Sequence, residues 1–271
     1  MQWPLFGDTK ENMTIIRLQN YEPEEPYWVG FSGGKDSTVL LDLVKRSGVP
    51  YEAHYNLTTV DPPEVVQFIK KEYPEVIIDR PEQTMWELIV KKRFPPTQRM
   101  RYCCEILKER AVPNGRVLVT GIRSEESTAR KNRAMFESCD GHVRRSVAGN
   151  RKLHTFYLHP IIDWTEEEIW DYIHEHDLPY CSLYDEGMKR VGCVMCPMKG
   201  SRLMAQDAAR WPKIAAAYER SICKAFDQAV ADGLDRHGWQ DGHDQYKWWI
   251  SKDAKKYGDD DSFSLFGEEQ D

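Results

Sequence analysis

No apolar run in the 271-residue sequence approaches the ~18 residues of a membrane-spanning helix, and its first residues lack the basic–apolar–small order of a secretory leader. A cytoplasmic protein without a membrane partner is the expectation. Positive charge is also scarce: 37 Lys and Arg against 44 Asp and Glu leave a net charge of −7, which argues against a protein that coats nucleic acid indiscriminately. Internal repeats are absent, and no cysteine follows Cys223. In a reducing compartment the seven cysteines are poor material for a disulfide framework and better suited to metal or redox chemistry. The charge that is present is uneven. Residues 89–155 carry sixteen Lys or Arg against six Asp or Glu, whereas 258–271 carry six acids and no base. A basic middle can face a polyanionic substrate or form solvated helix faces.

The most telling stretch is Ser32-Gly33-Gly34-Lys35-Asp36-Ser37, set between the apolar runs Tyr27–Phe31 and Val39–Val44. Buried strand, glycine turn and helix start in that order form a geometry that cradles phosphate. Gly33 and Gly34 let backbone N–H groups approach an anion, Lys35 adds a point charge, and the hydroxyls of Ser32 and Ser37 can donate to phosphate oxygens. Asp36 makes sense beside phosphate mainly if it also meets Mg²⁺. A Walker A loop requires Lys followed by Ser or Thr, and here Asp36 follows Lys35. The six residues instead resemble the pyrophosphate loop of N-type ATP pyrophosphatases, which cleave ATP between the α and β phosphates. An ordinary glycine turn capping a helix is the alternative.

Strand-like runs at 27–31, 51–56, 76–78, 116–120 and 153–158 alternate with helical patterns at 38–46, 63–72, 85–92, 104–110 and 165–175. The expected class is α/β: a Rossmann-like parallel sheet with helices on both faces and a small C-terminal helical extension. Thr165 with Glu168 predicts a capping box. The expected divisions are an N-terminal strap over 1–25, a nucleotide-binding domain over 26–200, and an extension over 201–271 that is helical to 232, broken at Pro212, and ends in the acidic tail. Trp239, Trp248 and Trp249 are expected as core or interface anchors rather than base-stacking platforms.

Cys103-Cys104 and Cys193-x-x-Cys196 form a second constellation. Two thiolates two residues apart can chelate one metal centre, and an adjacent pair can supply the rest. Adjacency suits a 4Fe–4S cubane better than a tetrahedral zinc knuckle, although zinc and metal-free thiols both stay open. Gly121 ends a predicted strand, which puts Arg123 at the carboxyl edge of the sheet with a guanidinium able to grip phosphate or sulfate. Thr58, Thr59 and Asp61 follow the second strand, where they either line the same crevice or form a turn before Pro62-Pro63.

Four segments carry a wider likeness. Pro95–Lys108 with its Cys103-Cys104, Gly121–Ser127 with Arg130, His159–Trp164, and Leu183–Pro197 with Arg190 and Cys193-x-x-Cys196 follow one another as in the phosphoadenosine phosphosulfate (PAPS) reductase family, which this chain resembles over roughly 27–200. The resemblance implies an adenine-nucleotide α-hydrolase fold and, by position, a 4Fe–4S centre on Cys103, Cys104, Cys193 and Cys196. It also implies an adenine nucleotide as ligand, either ATP with Mg²⁺ or a sulfonucleotide such as PAPS. The nucleotide-binding residues would be Ser32, Gly33, Gly34, Lys35, Asp36, Ser37, Thr58, Gly121 and Arg123, with Lys35, Asp36 and Arg123 in catalytic roles. Two departures set the chain apart from sulfonucleotide reductases: no Glu-Cys-Gly-type motif follows Cys223, and the loop keeps Lys35, Asp36 and Ser37. Both favour an ATP-using relative, similar to the ATP-pyrophosphatase component of DNA phosphorothioation systems and to cluster-dependent tRNA thiolases. The expected partners are a sulfur-donor protein or thioredoxin-like reductant, a nucleic-acid acceptor, and a second copy of the chain. Thioredoxin-dependent sulfonucleotide reduction and a non-catalytic nucleotide and cluster sensor are the rival readings.

Overall fold

The structure is a computed structural model, and it describes residues 9–108, 112–113, 115–138, 156–234 and 237–251. The chain divides into two compact units, one formed by 1–82 and 104–193 and the other by 83–103 and 194–271. The acidic tail, the start of the 153–158 strand and much of the basic middle's C-terminal half lie outside the described residues.

The first unit is built on a six-stranded sheet. Its strands are β1 (Tyr27–Gly30), β2 (Tyr51–Asn56), β3 (Ile77–Asp79), β4 (Val117–Val119), β5 (Phe136–Ser138) and β6 (Phe156–Leu158), in the spatial order β3-β2-β1-β4-β6-β5. All pairings are parallel except β5 with β6, so the expected parallel sheet gains one antiparallel edge strand. Strand β5 is only three residues long, too short for a period-2 pattern to mark it. Strand β1 is central and buried, with Gly30 beside His54 of β2 and Val29 beside Val119 of β4. Successive strands thus leave β1 in opposite directions, and in open α/β sheets ligands bind at the carboxyl ends beside such a switch point.

Helices α1 (Lys10–Asn20), α2 (Lys35–Ser47), α3 (Pro63–Glu72), α5 (Thr128–Lys131) and α6 (Glu166–Glu175) flank the sheet; α4 (Met85–Lys92) belongs to the second unit. Part of the expected strap is therefore helical. Thr9 accepts a bond from the Asn12 N–H at the start of α1, and Trp164 Nε1 donates to the buried Thr14 hydroxyl at 3.1 Å. The predicted capping box opens α6, with Thr165 Oγ1 accepting from the Glu168 N–H at 3.2 Å and Glu168 accepting from the Thr165 N–H at 2.7 Å. Within the helix expected over 104–110, Cys104–Lys108 is a five-residue π-helical turn, anchored where the Asn56 side-chain amide donates to the Lys108 carbonyl at 2.9 Å, and 109–110 lie outside the described residues.

The second unit packs α4 with α7 (Ser201–Arg210), α8 (Pro212–Ala231) and α9 (Gly242–Ser251). Pro212 starts α8, where its missing N–H costs nothing, so the expected break falls at that residue. Phe94, Phe226 and Trp239 form an aromatic core flanked by Met100 and Trp248. Trp249 is buried and donates to the Pro96 carbonyl at 2.7 Å. Trp239 and Trp249 are core residues, and Trp248 packs partly buried against that core. Among the described residues no helix is long and apolar enough to cross a membrane.

Candidate functional site

The segment after β1 turns as its glycines dictate. Gly33 has φ +70°, and a Cβ there would lie 3.0 Å from Val65 and Ile69 of α3, so only glycine fits both backbone and space. Gly34 caps α2 without a side chain. The two serines close the turn on itself: Ser37 Oγ donates to the Gly34 carbonyl at 2.8 Å and accepts from the Ser32 N–H at 3.2 Å, with the hydroxyls 3.1 Å apart. The Lys35 N–H donates to the Tyr184 hydroxyl at 3.0 Å. Burial, opposed by the bond from the Lys35 N–H and aided by the Asp36 charge, pushes the Tyr184 phenol up to about 12.

Of the two charged side chains of the loop, Lys35 is buried and Asp36 half-buried. Lys35 is 5 % exposed, with Nζ 3.4 Å from Asp36 and 3.7 Å from Glu166. Arg123 is 2 % exposed and sits just beyond β4, at the edge its position after Gly121 predicted. Its guanidinium is engaged with protein carboxylates: Nε donates to Asp36 at 2.5 Å and Nη1 to Glu125 at 2.9 Å. Gly121 permits this closeness, since a Cβ on it would stand 3.0 Å from the Asp36 carbonyl oxygen. More positive charge gathers here. Burial first, then the charges of Arg190, Arg123 and Arg133, lower the Arg130 guanidinium, while Asp36 acts in the opposite sense. Burial, reinforced by Arg133 and Arg130, depresses His159 to about 4, so its ring is neutral at pH 7; its Nδ1 lies 2.7 Å from Thr120 Oγ1.

The neighbouring strand end carries sulfur. Thr58 follows β2 and is buried; its N–H donates to Asp61 at 2.7 Å, which makes the turn reading correct for Asp61. The Thr58 hydroxyl, however, lies 3.5 Å from Cys193 Sγ. Lys108 is exposed as a residue, yet its ammonium is hemmed in. Its pKa is raised chiefly by attraction to Cys193, against the effect of burial, with a hydrogen bond to the same sulfur and with Cys104 and Asp61 adding to the rise. The first unit therefore brings Cys104 and Cys193 around one ammonium at the carboxyl edge of β2, adjacent to the β1 loop. Cys103 and Cys196 belong to the second unit. All four are thiols, as are Cys181 and Cys223.

The structure thus joins Ser32, Gly33, Gly34, Lys35, Asp36, Ser37, Gly121 and Arg123 in one network, and places Thr58 against a cysteine rather than against the loop. Tyr184, Glu125 and Glu166 carry no chemical signature of their own in the sequence. Tyr184 and Glu125 fall within the Leu183–Pro197 and Gly121–Ser127 segments that carry the family likeness, and only the capping box placed Glu166 at a helix start.

Residues 26–199 match the sequence profile of the phosphoadenosine phosphosulfate reductase domain. The chain belongs to that family. An uncharacterised protein of Methanocaldococcus jannaschii is 30% identical over 176 residues, 62% of this chain and 40% of that protein, so the chain spans well under half of that relative's length. An adenosine 5′-phosphosulfate reductase of Bacillus anthracis is 26% identical over 206 residues, 71% of this chain and 84% of that one. Among solved structures, a PAPS reductase from Candida auris in complex with phosphate aligns at a TM-score of 0.47 and 18% identity, covering 71% of this chain and 98% of that one.

Proposed function

We propose that this family member is an ATP-using enzyme of sulfur chemistry. It cleaves ATP between the α and β phosphates, releasing pyrophosphate and adenylylating an acceptor oxygen; sulfide-level sulfur from a donor then displaces that oxygen, which leaves as part of AMP. The observation that carries the reading is the placing of a glycine-serine anion loop and two cysteine sulfurs at neighbouring strand ends of one sheet.

In this reading the backbone N–H groups of Gly33, Gly34 and Lys35, with the hydroxyls of Ser32 and Ser37, receive phosphate oxygens; the phenol now bonded to the Lys35 N–H yields its place. Lys35, fixed between Asp36 and Glu166, neutralises charge that develops as pyrophosphate leaves. Asp36 holds Mg²⁺ through its carboxylate, and Arg123 orients that carboxylate from behind. The metal ion, when bound, supplies Lewis-acid polarisation of the phosphates.

The donor set also fits a 4Fe–4S cluster. The sequence pairs Cys103 with Cys104 and Cys193 with Cys196, all four are thiols, and Lys108 brings a positive charge beside Cys104 and Cys193. When bound, such a cluster supplies an iron site able to carry sulfide.

The test is pyrophosphate release from Mg–ATP by oxygen-free protein offered tRNA, DNA and sulfonucleotides. Release that depends on Lys35 and on one acceptor supports the reading. ATP binding without release from any acceptor favours a sensor instead. The B. anthracis relative supports a second reading, reduction of a sulfonucleotide, whose signature is sulfite formed with thioredoxin as reductant and without ATP.

A further inference from the structure

Helix α7 carries one acidic side chain that the family match, ending at residue 199, does not reach. Asp207 is 5 % exposed, unusual for a carboxylate. A single oxygen, Oδ2, accepts from the Met195 N–H at 2.7 Å and from Lys199 Nζ at 2.6 Å. The Lys199 N–H in turn donates to the Cys196 carbonyl at 2.8 Å, and the Tyr218 hydroxyl of α8 donates to the Val194 carbonyl at 3.4 Å. Asp207 therefore grips the segment one residue before Cys196 and three residues after it. Met195 is buried with φ +52°, a left-handed conformation that a non-glycine residue keeps only when its surroundings hold it there. The carboxylate supplies that restraint through two charge-assisted bonds.

We propose that Asp207 is a positioning residue for Cys196: it fixes the Val194–Lys199 turn so that the Cys196 sulfur is presented as a metal ligand. This rests on the reading of Cys196 as a cluster ligand. Partners that hold a ligand from behind commonly change metal retention by about 10- to 100-fold when removed. Lys199 completes the device by neutralising the buried carboxylate.

The test compares wild type, Asp207→Asn and Lys199→Met, purified without oxygen, by the rate at which iron passes to excess chelator. In parallel, the stripped proteins are alkylated and the labelling of Cys196 and Cys223 is read separately by mass spectrometry. The expected result is iron release about tenfold faster in Asp207→Asn, a smaller acceleration in Lys199→Met, and an altered Cys196 labelling rate with Cys223 unchanged in both. Wild-type release rates with unchanged Cys196 labelling overturn the proposal. Equal changes at Cys196 and Cys223 also overturn it, because Asp207 would then support the whole helical unit rather than one turn. Should Asp207→Asn fail to fold, Lys199→Met, which keeps the carboxylate and the Met195 bond, decides on the same readouts. Iron-free wild type removes the cluster reading and this proposal together; iron-bearing wild type with unaffected variants removes this proposal alone.

Discussion

The two units solve different problems with different materials. In the sheet unit, the side chains of the candidate site stand at strand ends and are held by charge: Asp36 between Arg123 and Lys35, Arg123 between Asp36 and Glu125, Lys108 beside two sulfurs. In the helical unit, cohesion comes from aromatic packing around Phe94, Phe226 and Trp239, and one buried carboxylate stands out. A network of charges is sensitive to single atoms, since removing one partner leaves another buried and unpaired. An aromatic core is sensitive to volume. Where the remaining partner keeps another ion pair, as Asp36 keeps Arg123 when Lys35 is removed, a substitution in the first unit should alter function more than stability; a substitution in the aromatic core should do the reverse.

The sharpest way to break that contrast is Lys35→Ala. It should slow pyrophosphate release on the order of a thousandfold, about 4 kcal/mol of barrier, with the melting temperature little changed. A variant that unfolds without a specific rate defect would assign Lys35 to the scaffold. Trp239→Ala should do the converse, destabilising by about 3 kcal/mol in denaturant titration while nucleotide affinity at low temperature stays near wild type. Gly121→Ala should fall between the two. Its methyl meets the Asp36 carbonyl oxygen at 3.0 Å, which calls for a backbone shift costing about 2 kcal/mol and a weaker nucleotide complex by equilibrium titration.

The smallest effect concerns pH. His159 is depressed to about 4 by burial and by Arg133 and Arg130, below the usual histidine value of 6.5. The unfolded chain therefore binds the extra proton first on acidification. The contribution of this group is complete above pH 6.5 and is lost as pH falls towards 4. His159→Gln should flatten the acid limb of a stability profile across that window; an unchanged limb would show that other groups govern it.

Much of the fold is legible in the sequence because its elements announce themselves locally. The Ser32–Ser37 loop, the 63–72 and 85–92 helices and the Thr165 capping box combine periodicity with punctuation, and each stands where expected. Three features escaped. Strand β5 is three residues long and pairs antiparallel, information that lies in its partner β6. Helix α1 has a polar composition, and its order comes from the buried Thr14 and Leu18 and from ion pairs of Lys10 with Glu168 and Arg17 with Asp163, partners distant in sequence. Helix α9 begins in a Gly- and Asp-rich stretch that reads as loop, and tertiary packing of Trp249 overrides it. At the site, Arg123 was placed by Gly121 at the correct edge, but its pairing with Asp36 and Glu125 depends on three-dimensional neighbours. The same holds for Thr58, whose contact with Cys193 spans 135 positions of sequence.

The claim on which the account stands is that the thiols of this chain hold iron beside a nucleotide-binding edge. Quantifying iron and acid-labile sulfide per chain in protein purified and kept free of oxygen tests it most directly. About four of each per chain, falling sharply in Cys193→Ser, is the predicted result. A colourless wild-type protein with iron and sulfide near zero would contradict it.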